Sequence, residues 1–445
     1  MTVSQTAQNY SALIINSSDC DAISSKLPLT LVSSGSAAKT ALMDSKRRFA
    51  GIFIDPVMPY PGGVELIGLA HRYRPVTPVY VLYRKNKPFT EAELDRMGVH
   101  GQLQTPISAP IIQKRIASQI FDYWFDLPAF PQITESSEED RLYTAVLSSD
   151  LLTGSASLYD IHVRLPSGRY FKILNARDTL SPERVLGYIQ KGVGFFYFKK
   201  ADHELCLSYC DNLAKFLISH HEVSFELRAS ALYNQGQKLI NGIHTEGLTA
   251  EHIDFAVLYV GQIRSFITRM DIDNLDEMRT FLAHLSLYDR SVSTAMIAGL
   301  LALPLKVESE SAFRAIGLAA LLHDIGMLNL PEDRYFEHPA IGARMLADVP
   351  GIDAVSIQAI EQHHERRDNT GFPGRVNGSN VNRIAELIGL SDEFINLLEA
   401  AGKNPALNPL AEMERKVFAG FSFPVIEAFR TVFMQKPTKT SSKAL

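Results

Sequence analysis

The chain has 445 residues, 46% of them hydrophobic, with a formal net charge of −5 and a mean hydropathy of −0.01. That length suits about three domains of roughly 150 residues each, and the mild acidity excludes a general electrostatic pull toward nucleic acid or anionic membrane. The only three cysteines, Cys20, Cys206 and Cys210, exclude a disulfide framework and fit a reducing compartment. The N-terminus carries no apolar run of signal-peptide type, and the most apolar long stretch, Ala295 to Leu305, is too short to span a bilayer. The expectation is a cytoplasmic protein without membrane insertion.

Residues 1–127 alternate short apolar runs with helical patterns. Ser11 to Ile15, Ala50 to Asp55, Pro78 to Tyr83 and Gly101 to Gln104 read as strands. Apolar strands separated by helices predict a parallel sheet covered on both faces, an α/β domain. Leu127 to Asp140 reads as a linker. Residues 140–221 predict a small α+β domain. In it, Asp160 to Leu174 alternates around Pro166-Ser167-Gly168, a hairpin signal, and Gly192 to Phe198 reads as a further strand. A helix is expected over Leu205 to His220, where the spacing of Cys206 and Cys210 places both thiols on one face as core residues.

Residues 223–434 are almost all helical in pattern. Helices are expected at Thr249 to Thr268, Leu275 to Leu303, Ser309 to Leu322, Pro339 to Leu346, Ala354 to His364 and Asn382 to Leu398. They predict an all-α bundle with functional side chains between helices. Residues 435–445 are polar and basic, as expected of a disordered tail.

Chemistry concentrates in this last segment. His323 and Asp324 stand side by side in Leu-Leu-His-Asp-Ile-Gly, His338 follows, and His363 and His364 open the run His-His-Glu-Arg-Arg-Asp-Asn-Thr-Gly-Phe-Pro-Gly. Asp392 lies beyond, on an apolar helix where its carboxylate needs a partner. Four of the 13 histidines therefore fall close together beside aspartates. Imidazole with carboxylate suits Fe and Mn, and also Zn. It is also the ligand mix of a two-metal site, in which ions about 3.5–4 Å apart activate water and clamp a phosphodiester. A single histidine is more often a core residue than a ligand, and the ordered set of six carries the metal reading. The pair His220-His221 has no nearby His-Asp partner and reads as an exposed helix end. Gly326 reads as the end of the helix bearing His323.

These residues resemble the HD-GYP family, a branch of the HD metal-dependent phosphohydrolases. Leu322 to Gly326, His338-Pro339, His363 to Glu365, Asp368 with Gly371-Phe372-Pro373, and Asp392 stand in the family's order. The resemblance implies an all-helical fold, a di- or trinuclear iron or manganese site, and hydrolysis of cyclic di-GMP. Carried over by position, His323, Asp324, His338, His363, His364 and Asp392 are the metal ligands. Four positions depart from the family. Arg290 replaces an early histidine, and a guanidinium, always protonated, cannot ligate a metal, although it could hold a phosphate. His284 reads as a poor substitute, about 240° away around the same helix. Met327 replaces a lysine, Phe372 replaces the tyrosine of Gly-Tyr-Pro, and the gap from Asp324 to His338 is short, which implies a missing lid and an open site.

Residues 1–127 resemble a response-regulator receiver domain of flavodoxin-like fold. Asp55 stands at the phospho-acceptor position with Val57-Met58-Pro59 after it. Asn16 and Ser17, with Asp19 nearby, replace the receiver's acidic pair, Tyr83 its Thr or Ser, and Thr105 its lysine. An acyl phosphate on Asp55 would find little compensating charge. The reading is a degenerate receiver kept for homodimerisation or docking. The middle segment resembles the small domain that accompanies some atypical HD-GYP proteins, on Leu165 to Lys172 and Lys191 to Tyr197.

The expectation is a multidomain, metal-dependent cyclic di-GMP phosphodiesterase in bacterial signal transduction, with two divalent ions, Fe or Mn. Asp324 and Arg290 are the expected catalytic residues. Arg290, Arg366 and Arg367 are candidates for the substrate phosphates, and Asp368 for a supporting partner or a turn cap. The alternative is a catalytically impaired adaptor or sensor that binds metal, nucleotide or a partner signalling protein. A di-iron redox or oxygen sensor is a third reading. No basic stripe with interleaved aromatics suggests nucleic-acid binding.

Overall fold

The structure, a computed structural model, describes residues 10–16, 28–107, 111–112, 115–116, 139–152, 154–219, 223–285, 288–328, 330–376 and 378–434. Residues 127–138 of the expected linker, Ser17, Asp19, Cys20, the His220-His221 pair and the C-terminal tail lie outside these residues. The chain divides into two compact units, residues 1–227 and 228–445.

The first unit holds two sheets. Strands β1 (Tyr10–Ile15), β2 (Leu29–Val32), β3 (Arg48–Ile54), β4 (Val79–Tyr83) and β5 (Gln102–Gln104) form a parallel sheet in the order β2-β1-β3-β4-β5. Its inner strands are almost continuously buried, as the apolar runs predict. β2, whose burial is only partial, is a strand beyond the four expected.

The second sheet is antiparallel, in the order β6-β9-β7-β8, from β6 (Tyr143–Leu147), β7 (Ile161–Arg164), β8 (Tyr170–Leu174) and β9 (Phe195–Lys199). β7 and β8 are the expected hairpin, and Gly168 in its turn has φ of 82°, a conformation that glycine adopts without penalty. One apolar core joins the two sheets, with Ile14, Phe53 and Leu82 from the first and Ile161, Phe196 and Phe198 from the second. A helix over Lys200–Ser219 carries both cysteines one turn apart, and each thiol donates toward the Met97 carbonyl, at 3.6 and 3.8 Å.

The second unit is helical. The expected helix Leu275 to Leu303 is two helices, Leu275–Leu285 and Arg290–Ala302. Asp289 caps the second by accepting the Ser291 N–H at 2.8 Å, so Arg290 is its first residue. His284 and Arg290 therefore do not share a helix, and the angular argument that related them fails. His284 is buried beside Tyr233 and Tyr288.

The Arg290–Ala302 helix is buried from Ser291 to Ala302 and packs against the helices Glu310–Leu322 and Arg383–Lys403. The helices His338–Leu346 and Ala354–Gln362 complete the frame of the site. Among the described residues, no helix is long and apolar enough to cross a membrane.

Candidate metal centre

Helix ends build the site. His323 caps the C-terminus of the Glu310–Leu322 helix, and Asp324 begins the tight turn that follows. His338 is the first residue of its helix. His363 caps the C-terminus of the Ala354–Gln362 helix, with His364 next. Gly326 is not a helix terminator. A β-carbon there would lie 2.1 Å from the His338 carbonyl oxygen, so glycine lets the Asp324 turn seat directly on the His338 helix.

Three histidines share one hydrogen-bond pattern. His323, His338 and His363 each donate from Nδ1 to the carbonyl three residues earlier, Ala320 at 2.7 Å, Tyr335 at 2.6 Å and Ile360 at 2.6 Å. Ala320 and Ile360 lie in the last turns of their helices, where carbonyls need partners from outside the helix, while the Tyr335 carbonyl, in the segment Glu332–Glu337, also accepts the His338 N–H. The use of these carbonyls fixes each ring and leaves Nε2 to face the centre. There His338 Nε2 and His363 Nε2 stand 3.1 Å apart, and Asp324 Oδ1 is 3.2 Å from the first and 3.8 Å from the second. Asp324, His338, His363 and His364 each bring one ligand atom within 4.8 Å of the others.

With both Nδ1 atoms engaged by carbonyls, the two Nε2 atoms face each other, and a cation between them could be held by both rings. The donor set fits a first-row divalent ion.

The charges agree. Burial and the neighbouring His323 lower the His363 pKa to about 3. Burial and His363 lower that of His364 to about 2. Both rings are neutral at pH 7, as ligands must be. Burial opposes charge on Asp324, but His323 and the other imidazoles outweigh it and hold the carboxylate well below its ordinary value.

His323 and Asp392 stand to one side. His323 Nε2 is 3.3 Å from Asp324 Oδ2 and 3.7 Å from Asp392 Oδ1, without a well-formed hydrogen bond to either. Burial disfavours its charge, yet the two carboxylates push its pKa up to about 10. Asp392 is 1% exposed and takes a bidentate pair from Arg290, Nε to Oδ1 at 2.5 Å and Nη2 to Oδ2 at 2.9 Å.

Residues 287–397 match the family described as HD domain. The chain is 32% identical over 117 residues to the cyclic di-GMP phosphodiesterase PA4108 of Pseudomonas aeruginosa, covering 23% of this chain and 28% of that one. It is 31% identical over 120 residues to the cyclic di-GMP phosphodiesterase response regulator RpfG of Xanthomonas campestris, covering 23% and 31%. A further match, 29% over 110 residues, is to a cyclic di-GMP phosphodiesterase of Vibrio cholerae, covering 20% and 22%. The second unit contains an HD domain of the HD-GYP type. The matched stretch spans less than a third of the length of these relatives. Among solved structures, an HD-GYP protein of Bdellovibrio bacteriovorus, Bd1817, aligns with 65% of this chain and 99% of its own, at 17% identity and a TM-score of 0.43.

Other expected site residues of the HD domain have different surroundings. Arg366 donates to the His363 and Glu365 carbonyls, pairs with Glu393 at 2.7 Å and lies over the Phe421 ring. Arg367 stands 3.7 Å from the buried Glu386. Both arginines thus have partners within the protein. Asp368 accepts from the Thr370 N–H and hydroxyl, so it caps the turn. Met327 ends the short turn after Asp324.

The gap before His338 is not open. A 3-10 segment, Glu332–Glu337, fills it. Its Tyr335 hydroxyl lies 3.2 Å from His364 Nε2, and Phe336 packs edge-on against Phe372. Tyr335 was not expected at the site, and nothing in its polar sequence surroundings signals it. Glu365 was also missed. It is 1% exposed and accepts the N–H groups of Gly374 at 2.5 Å and Val376 at 2.8 Å, which shapes the loop carrying Phe372.

In the first unit, Asp55 follows β3, is buried, and accepts the Val57 N–H at 3.0 Å. Arg84 stands 4.0 Å from its other oxygen. Asn16 at the end of β1 is buried.

Proposed function

We propose that the HD domain is a metal-dependent phosphodiesterase acting on cyclic di-GMP. One observation carries this reading: the convergence of Asp324, His338, His363 and His364 on one point, with His338 and His363 offering facing Nε2 atoms. The kinship with cyclic di-GMP phosphodiesterases supports the choice of substrate.

Asp324, His338, His363 and His364 would hold the metal, Fe or Mn, with Asp324 the indispensable member. A divalent ion there supplies Lewis-acid chemistry, bringing the pKa of a water toward neutrality and offsetting charge on a phosphoryl oxygen. The protein's own part is placement. The Nδ1–H bonds to backbone carbonyls hold the His323, His338 and His363 rings in one tautomer and one orientation. Arg290, one-third exposed, keeps a cation at the edge of the site, where a phosphate can approach it. Phe336, 65% exposed beside Phe372, offers an aromatic face for a base at the entrance.

The test is turnover of cyclic di-GMP by the whole chain with Mn²⁺ or Fe²⁺, against an Asp324→Ala control. Hydrolysis abolished by the substitution is the expected result. Absence of turnover in metal-loaded protein would reject the reading.

A second reading, an adaptor or sensor that keeps the metal without turnover, is favoured by one observation. Arg290 occupies both oxygens of Asp392, a carboxylate otherwise available to the centre. Metal retention with cyclic di-GMP bound but intact would select it.

A further inference from the structure

We infer that Arg290 stands in for a second metal ion, so that the centre binds one ion and not two. This rests on the reading that the His/Asp cluster holds metal. Among the described residues, the ligand atoms that converge come from Asp324, His338, His363 and His364 alone. A second ion would draw on what remains: His323 Nε2, the Asp324 Oδ2 that lies 3.3 Å from it, and Asp392, whose Oδ1 is 3.7 Å from it.

The Asp392 member of that set is already satisfied. Arg290 bonds both Asp392 oxygens in the planar fork that matches a carboxylate. Asp392 is 1% exposed and sits within the Arg383–Lys403 helix, so it cannot turn to another cation without losing the guanidinium. The guanidinium cannot deprotonate, and its charge repels a divalent ion from the space between Asp392 and His323.

The local fold places this cation. Asp289 caps the helix, Arg290 is the first helical residue, and the side chain reaches Asp392 from there. The permanent charge meets the electrostatic demand of Asp392 without offering an open coordination position. The same carboxylate would otherwise be a second-metal ligand.

The experiment counts ions. The whole chain and its Arg290→His variant are purified anaerobically, loaded with Mn²⁺ and dialysed against metal-free buffer. Metal per chain is measured by elemental analysis, and the spin state of the bound Mn²⁺ by electron paramagnetic resonance. The native chain is expected to hold about one ion with an isolated-ion spectrum, and Arg290→His about two with an exchange-coupled spectrum, because a neutral imidazole can ligate where a guanidinium cannot.

Two coupled ions in the native chain would overturn the inference while leaving the metal reading intact. A second ion still absent from folded Arg290→His would also overturn it, since Arg290 would not then be what excludes the ion. No metal in the native chain would reject the underlying reading, and this inference with it. Should the variant not fold, the spectrum of the native chain decides alone.

Discussion

His338 Nε2 and His363 Nε2 face each other at 3.1 Å while each ring donates its Nδ1 proton to a backbone carbonyl. A cation between the two Nε2 atoms would be held by both rings, and the folded state would gain stability from binding one. Ligand linkage gives the size: a metal present at about 100 times its dissociation constant adds about 2.7 kcal/mol. Thermal melts of metal-depleted protein should shift upward on adding Mn²⁺ and return with a chelator. His338→Ala should lose the shift. An equal shift in that variant would mean that the ion binds elsewhere.

Gly326 and His338 are in direct backbone contact, and any β-carbon at position 326 would fall 2.1 Å from the His338 carbonyl oxygen. Gly326→Ala must push the Asp324 turn off the His338 helix. Strain of this kind places the variant among the larger single-residue effects, about 2–4 kcal/mol. Urea midpoints measure that loss. Because Asp324 and His338 move apart together, metal affinity should fall with it. A Gly326→Ala protein with native stability and affinity would show that the contact is not needed.

The donor set was legible because its residue types are rare in a helical core and their order is distinctive. The parallel sheet was legible from apolar runs in β1, β3 and β4. Other features depended on contacts far apart in the chain. β2 is a short strand with only partial burial, so Leu29 to Val32 gives a weak signal. The apolar pattern runs on from Leu275 to Leu303, and only Asp289, a good N-cap, marked the break before Arg290. Arg366 and Arg367 looked like cations beside a phosphate site. Their partners, Glu393, Phe421 and Glu386, lie on other elements and could not be read from neighbours in sequence. Tyr335 sits among charged residues, and its approach to His364 follows from how Glu332 to Glu337 folds over the site.

Glu365 spends both carboxylate oxygens on backbone donors, Gly374 N–H and Val376 N–H, in a place closed to solvent. Glu365→Gln keeps the shape but turns one acceptor into a donor that faces an N–H group. One buried donor is then unsatisfied, which costs about 1–3 kcal/mol. The loop bearing Phe372 should loosen while the metal ligands stay in place. Chemical denaturation should show the loss, hydrogen exchange should localise it to residues 371–376, and the metal stoichiometry should not change. Unchanged exchange in that loop would refute the role given to Glu365.

His284 connects the fold to pH. Burial lowers its pKa to about 4, from an ordinary value of 6.5. It is buried against Tyr233 and Tyr288, away from the Asp324 cluster in sequence and packing. Above pH 6.5 the ring is neutral in both the folded and the unfolded chain, and it adds no pH dependence. Below that value the unfolded chain takes up a proton that the folded chain refuses. Stability therefore falls as pH drops from 6.5 toward 4, by at most about 1.4 kcal/mol per pH unit from this one group. Below the folded-state value the ring is protonated in both states and the slope ends. Urea denaturation of metal-depleted protein at pH 7 and pH 5 should show the loss, and His284→Phe should reduce it while keeping an aromatic ring in the stack. An undiminished pH slope in that variant would assign the acid sensitivity to other groups.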